Sequence, residues 1–134
     1  MGRAVKAFDL AQMFAAFSDR TRLRLLNLMN GREVCVCYFV EILGQSQPKI
    51  SRHLAYLRNA GLVKARREGK WMHYRLETPA DAAAAAILRT TLESLGTDRE
   101  MQTDLVRLGK ACCAPQRFVT LQGAPAPRAD VSAV

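Results

Sequence analysis

The chain has 134 residues, 49% of them hydrophobic, which suits one domain around a single core. No apolar run approaches the roughly 20 residues needed to cross a bilayer, and an acid and a glutamine interrupt the apolar N-terminal stretch, so neither a membrane partner nor a signal peptide is expected and a cytoplasmic location is. In a reducing compartment the four cysteines read as free thiols or metal ligands rather than disulfides, and the net charge of +8 points to a polyanionic partner.

Phe8, Ala11, Met13, Phe14 and Phe17 recur at near-helical spacing and predict an amphipathic helix over Ala7 to Phe17. Ser18 and Asp19 offer caps for a second helix, Arg20 to Asn30, whose Leu23, Leu25, Leu26 and Met29 face inward before Gly31 stops it. Tyr38 to Leu43 forms a short third helix ended by Gly44. Ser46 caps a fourth, Gln47 to Ala60, where Pro48 is tolerated because the first turn has no intrahelical N–H bond to lose. The period then changes. Leu62 to Arg66 and Trp71 to Leu76 are β-prone runs joined across Arg67-Glu68-Gly69-Lys70, a basic-tipped hairpin. After Pro79, "ADAAAAAILRTTLESL" has high helix propensity, and Thr97 with Glu100 has capping-box spacing for a last helix reaching about Lys110. The segment from Ala114 holds three of the five prolines and lacks hydrophobic periodicity. Residues 1–113 therefore form the expected domain and 114–134 a flexible tail, disordered or draped over it.

The charge is concentrated. Residues 1–44 carry six Lys/Arg against four Asp/Glu, residues 45–77 eight against two, and residues 78–134 six against six. Most of the surplus falls on the fourth helix and the hairpin, as a nucleic-acid footprint requires, because neutralising phosphates releases counterions. At about 100° per residue, Ile50, Leu54 and Leu57 make the buried stripe of the fourth helix, leaving Gln47, Pro48, Ser51, Arg52 and Ala55 on or near the opposite side. That outer face is small or hydrogen-bonding, which suits a major groove, where Gln and Arg pair with base edges. An ordinary solvated helix surface is the alternative; the basic hairpin behind it argues for DNA.

The order helix, helix, "VCVCYFVEILGQSQPKISRHLAYLRNAGLV", then "ARREGKWMHYRL" resembles the winged helix-turn-helix repressors of the ArsR/SmtB family, especially the arsenic-responsive members. The resemblance spans roughly Phe8 to Leu95. It implies a mainly α fold with a small β-hairpin and a homodimer packed through the first and last helices. The recognition helices would enter successive major grooves of double-stranded operator DNA. Carried over by position, Gln47, Pro48, Ser51 and Arg52 would face bases, Lys49 and His53 would flank them, and Arg66, Arg67, Lys70 and Tyr74 would serve the wing.

The resemblance also gives "EVCVCYF" a meaning. Arsenic-, cadmium- and lead-responsive members place thiolates in this segment, and Cys35 and Cys37 match. On a regular helix they would point about 200° apart, but on an extended strand to one side, so joint ligation needs an extended or distorted segment. Bound metal that deforms it would unseat the recognition helix. The chain departs from the arsenic pattern at Val40, where a third cysteine would stand, and from the cadmium pattern because residues 1–34 contain none. Cys112 and Cys113 are the other thiols, and either would complete a three-thiolate site for As(III) or Sb(III). A repressor answering to Cd(II), Pb(II) or Zn(II) through four thiolates is an alternative, as is a thiol redox-responsive one. Asp81, Glu93 and Asp104 resemble carboxylates of helical zinc sites but lack a suitably spaced histidine. No organic cofactor is expected, and no glycine-rich phosphate loop or nucleophile–base pair suggests an enzyme.

Overall fold

The computed structural model describes residues 8–130. The chain runs α1 (Leu10–Phe17), α2 (Arg20–Leu28), β1 (Arg32–Cys35), α3 (Val36–Leu43), α4 (Gln47–Asn59), β2 (Val63–Glu68), β3 (Trp71–Leu76), α5 (Ala82–Leu95) and α6 (Arg99–Cys113). Two short 3-10 turns and β4 (Arg128–Ala129) follow. The result is mostly helical with one small antiparallel sheet, as expected for a winged helix-turn-helix.

Polar caps set the helix starts. Asp9, Asp19, Ser46, Asp81 and Asp98 each accept a hydrogen bond from the backbone N–H three residues on, satisfying donors that the first turn leaves unpaired. The first helix therefore begins at Leu10 behind Asp9; Ala7, where the sequence started it, lies outside the described residues. The last helix is capped by Asp98 and not by Thr97, whose hydroxyl instead donates to the Ser94 carbonyl at the end of α5, 2.9 Å away. It also continues to Cys113 rather than stopping near Lys110.

Leu25, Leu26, Tyr38, Phe39, Leu54 and Leu57 are among the fully buried side chains that join α2, α3 and α4 into one core. Gly44, with φ +65, ends α3 in the left-handed region and donates its N–H to the Val40 carbonyl, turning the chain sharply into Ser46 and α4. Arg24, on α2, binds the buried carboxylate of Asp104 on α6 through Nε at 2.8 Å and Nη2 at 3.0 Å. Arg20 binds Asp98 and Glu100 at the start of the same helix. These pairs seat α6 against α2, and its far end, with Cys112 and Cys113, is carried past α3.

The hairpin is one part of a larger sheet. Its strands pair from Val63 opposite Leu76 to Glu68 opposite Trp71, leaving Gly69 and Lys70 as a two-residue turn with Gly69 at φ +59. The strand order is β2-β3-β1-β4, and β1 is a strand that local sequence pattern did not reveal. Val34 lies opposite Tyr74 and Cys35 opposite His73, while β4 pairs Arg128 with Glu33. The part of the tail through Asp130 is thus draped over the domain: Leu121 is buried, and the Asp130 N–H donates to the Gly31 carbonyl at 3.0 Å.

Candidate functional site

The N-terminal turns of α4 form a projecting face. Ile50, Leu54 and Leu57 are fully buried, as the helical stripe predicted. Gln47, Pro48, Lys49 and Arg52 are exposed, and Ser51 is half-buried beside them. No acidic residue lies in the first turn, so the positive helix end is unopposed there. His53 faces back toward α2, its Nδ1 3.3 Å from Arg22 Nη1 and 3.9 Å from Asp19 Oδ1. Arginine has only donors, so the ring nitrogen accepts.

Arg22 is a positioning residue that periodicity gave no means to find. Its guanidinium donates to the Ala15 and Ala16 carbonyls at 3.0 and 2.9 Å and lies 4.2 Å from the centroid of the Tyr56 ring. One cation thus closes the end of α1 and grips α4 by a cation–π contact and His53. Its position within an otherwise leucine-rich helix carried no signal of that role.

On the wing, Arg67 and Lys70 are exposed, with Lys70 Nζ 4.9 Å from the Trp71 ring centroid. Arg66 is turned inward, donating from Nη2 and Nε to the two carboxylate oxygens of Glu33 at 2.7 and 3.2 Å. Tyr74 packs on the core, its ring centroid 6.5 Å from that of Phe39, and burial pushes its phenol up. The sequence-derived DNA residues therefore separate into an outward set (Gln47, Pro48, Lys49, Arg52, Arg67, Lys70), the half-buried Ser51, and three with partners inside the fold (His53, Arg66, Tyr74).

The thiols form two groups. Cys35 ends β1 and is also the residue before the first turn of α3, with extended φ −69 and ψ 142; Cys37 lies in that turn. The strand-to-helix junction resolves the problem that spacing posed, because neither regular strand nor regular helix has to hold both residues. The sulfurs stand 2.9 Å apart, Cys35 fully buried and Cys37 half-buried. The hydrogen bond from Cys37, helped by the Val36 and Cys37 amides at the helix opening, pulls the Cys35 thiol down to about 7 against the cost of burial. Cys37 moves up strongly, because it donates to its neighbour and is itself desolvated. One proton held between the two sulfurs would therefore leave Cys35 as the thiolate of the pair.

Cys112 is half-buried and Cys113 exposed at the end of α6. Burial pushes the Cys112 thiol up, with the Cys113 thiol adding to it. Among the described residues, no group of three or more His, Cys, Asp or Glu side chains is gathered closely enough to hold a metal ion, so the chain does not bring the two thiol groups into one cluster. Two of the three carboxylates noted in the sequence have other tasks: Asp104 is paired with Arg24 and Asp81 caps α5.

A short helix, a sharp turn, a second helix with an exposed polar N-terminal face and a basic β-hairpin behind it define a winged helix-turn-helix regulator that binds double-stranded DNA. Residues 19–65 match the family described as bacterial regulatory protein, arsR family. The chain is 50% identical over 78 residues to the arsenical resistance operon repressor of Escherichia coli (strain K12), covering 58% of this chain and 67% of that protein. It is 37% identical over 123 residues to the arsenic resistance transcriptional regulator ArsR1 of Pseudomonas putida, covering 84% and 94%. Among solved structures, reduced HlyU from Vibrio cholerae N16961 is similar with a TM-score of 0.56 at 28% identity, covering 66% of this chain and 90% of that one. The chain belongs to the ArsR family and is a transcriptional repressor, not an enzyme.

Proposed function

We propose that this repressor binds a two-fold operator as a homodimer and releases it when As(III), or the chemically similar Sb(III), binds the thiolates of Cys35 and Cys37 together with one from Cys112 or Cys113. The observation that carries the reading is the sulfur pair 2.9 Å apart at the start of α3, the helix that leads directly into α4. The relatives named for arsenic resistance support the choice of ligand.

The position of the pair supports a trigger role. To share a ligand through bonds of about 2.3 Å, two sulfurs must stand roughly 3.3 Å apart for a right-angled pair of bonds and about 3.8 Å for a tetrahedral one. A shared ligand would hold the two sulfurs at its own spacing. Cys35 belongs to β1 and Cys37 to α3, so a ligand that ties them together would act on the seam between that strand and the helix that leads into α4. A third thiolate suits the pyramidal preference of trivalent arsenic, and Val40 leaves that position to Cys112 or Cys113, from the same subunit or its partner.

Gln47, Pro48, Ser51 and Arg52 serve as the base-reading group, with Lys49, Arg67 and Lys70 on phosphates. Leu10 and Phe14 on α1 and Val106 on α6 are 40%, 53% and 57% exposed, apolar area that a second copy would cover. A dimer would place its two α4 helices about 34 Å apart, one turn of DNA. The test is a parallel titration of As(III), Sb(III), Cd(II), Pb(II) and Zn(II) into reduced protein on labelled operator. As(III) or Sb(III) should release DNA at the lowest concentration; a lower threshold for a divalent ion would replace this reading with a four-thiolate sensor of divalent metals.

A further inference from the structure

The register of the sheet aligns Arg66 on β2 with His73 on β3, and His73 with Cys35 on β1. Paired residues project to the same face, and Glu33, two positions before Cys35, shares that face with Arg128 opposite it on β4. The Glu33 side chain is only 10% exposed, yet it holds two guanidiniums. Arg66 binds both carboxylate oxygens, at 2.7 and 3.2 Å, and Arg128 Nη2 donates to Oε1 at 3.0 Å. One carboxylate therefore joins the strand bearing Cys35, the outer strand of the wing and the C-terminal segment.

This arrangement conflicts with the role that position alone assigns to Arg66. A guanidinium whose Nε–Nη2 edge is already paired shares its charge with the carboxylate it holds. To present that two-pronged edge to a phosphate, Arg66 would have to leave a mostly buried carboxylate to the more exposed Arg128 alone. Arg67 and Lys70, on the same hairpin, carry no such cost.

We propose that Glu33 is a positioning residue that fixes the wing to the thiol-bearing strand, and that Arg66 is its internal counter-ion and not a phosphate contact. Glu33 is the next residue on the same face of β1 as Cys35, so a shift of Cys35 is passed to Arg66 and hence to β2. This last step rests on the thiol reading above; the assignment of Arg66 does not.

The experiment uses full-length protein and a duplex selected by it from random sequence, with affinity followed by fluorescence anisotropy over a series of salt concentrations. If Arg66 positions the wing, Glu33→Gln and Arg66→Lys each weaken binding about tenfold with the salt slope unchanged, and the double variant is no weaker than either single one. Lys70→Gln should reduce the slope by about 1 per site, which calibrates a true phosphate contact. The proposal is overturned if Glu33→Gln binds as well as or better than wild type, if Arg66→Lys keeps full affinity, or if Arg66→Gln lowers the slope as Lys70→Gln does. Should Glu33→Gln lose its circular dichroism signature, Glu33→Asp, which keeps the charge but breaks the two-pronged geometry, is judged by the same signs. In a second arm, Glu33→Gln should bind As(III) as wild type does when DNA is absent, while the ratio of operator affinities without and with As(III) falls at least fivefold; an unchanged ratio overturns the coupling. If wild type itself is not released by As(III), the thiol reading fails, and the slope and affinity arms still decide the role of Glu33.

Discussion

Replacing Cys37 with alanine should change the protonation of Cys35 far more than its packing. The bond from Cys37 is the largest influence holding the Cys35 thiol at about 7, below an ordinary value near 9, while burial works in the opposite direction. Two pH units correspond to about a hundredfold in the thiolate-to-thiol ratio. With the first step near 7, about half of Cys35 should be thiolate at pH 7 in the native pair, and Cys37→Ala should lower that fraction many-fold, because only the Val36 and residue-37 amides then oppose burial. The assay is thiolate absorbance in the ultraviolet from pH 5.5 to 10, in a Cys112→Ser, Cys113→Ser background so that only the junction thiols report. The native pair should lose one proton near pH 7 and retain the second to the alkaline end of the range, as two strongly interacting sites must. Both thiols titrating together between about 8.5 and 9, or an unchanged first step in Cys37→Ala, would refute the shared-proton geometry.

On DNA, Arg52→Ala should cost about 1–3 kcal/mol at the operator and much less on random sequence, whereas Lys70→Ala should weaken both alike; equal losses for Arg52→Ala would remove that residue from the reading face. In the core, Arg24→Ala leaves the nearly inaccessible Asp104 carboxylate without its two-pronged partner and should destabilise the fold by about 3–5 kcal/mol in urea denaturation. A loss below about 1 kcal/mol would mean that Asp104 is solvated and α6 loosely seated.

The parts legible in the sequence are those governed by neighbours in the chain. Ser46, Pro48 and the Ile50, Leu54, Leu57 stripe placed α4 with its correct start, and Gly69 between two β-prone runs placed the hairpin. Strand β1 was not legible, because Arg32–Cys35 becomes a strand by pairing with β3 some 40 residues later and with β4 at the far end of the described chain. Thr97 and Asp98 both have side chains able to cap α6, and spacing to Glu100 favoured the wrong one. Arg66 looks like Arg67 in sequence, and only the approach of Glu33 from another strand separates them. Likewise Tyr74 alternates correctly for a hairpin, but which face met Phe39 depended on how the sheet packed on α3. The closeness of Cys35 and Cys37 was anticipated as a requirement for distortion; its source, a junction between two elements, was hidden with β1.

The most direct measurement of the central claim is the As(III) concentration needed to release operator from wild type and from the Cys35→Ser, Cys37→Ser double variant, alongside As(III) affinity with and without operator. Serine keeps the size and removes the soft donor, so the variant should bind operator normally and remain bound at As(III) levels that empty the wild-type complex. Linkage further requires operator to weaken As(III) binding to wild type by the same factor that As(III) weakens operator binding. Release of the double variant at the wild-type As(III) concentration would contradict the account and assign the sulfur pair at the head of α3 to packing alone.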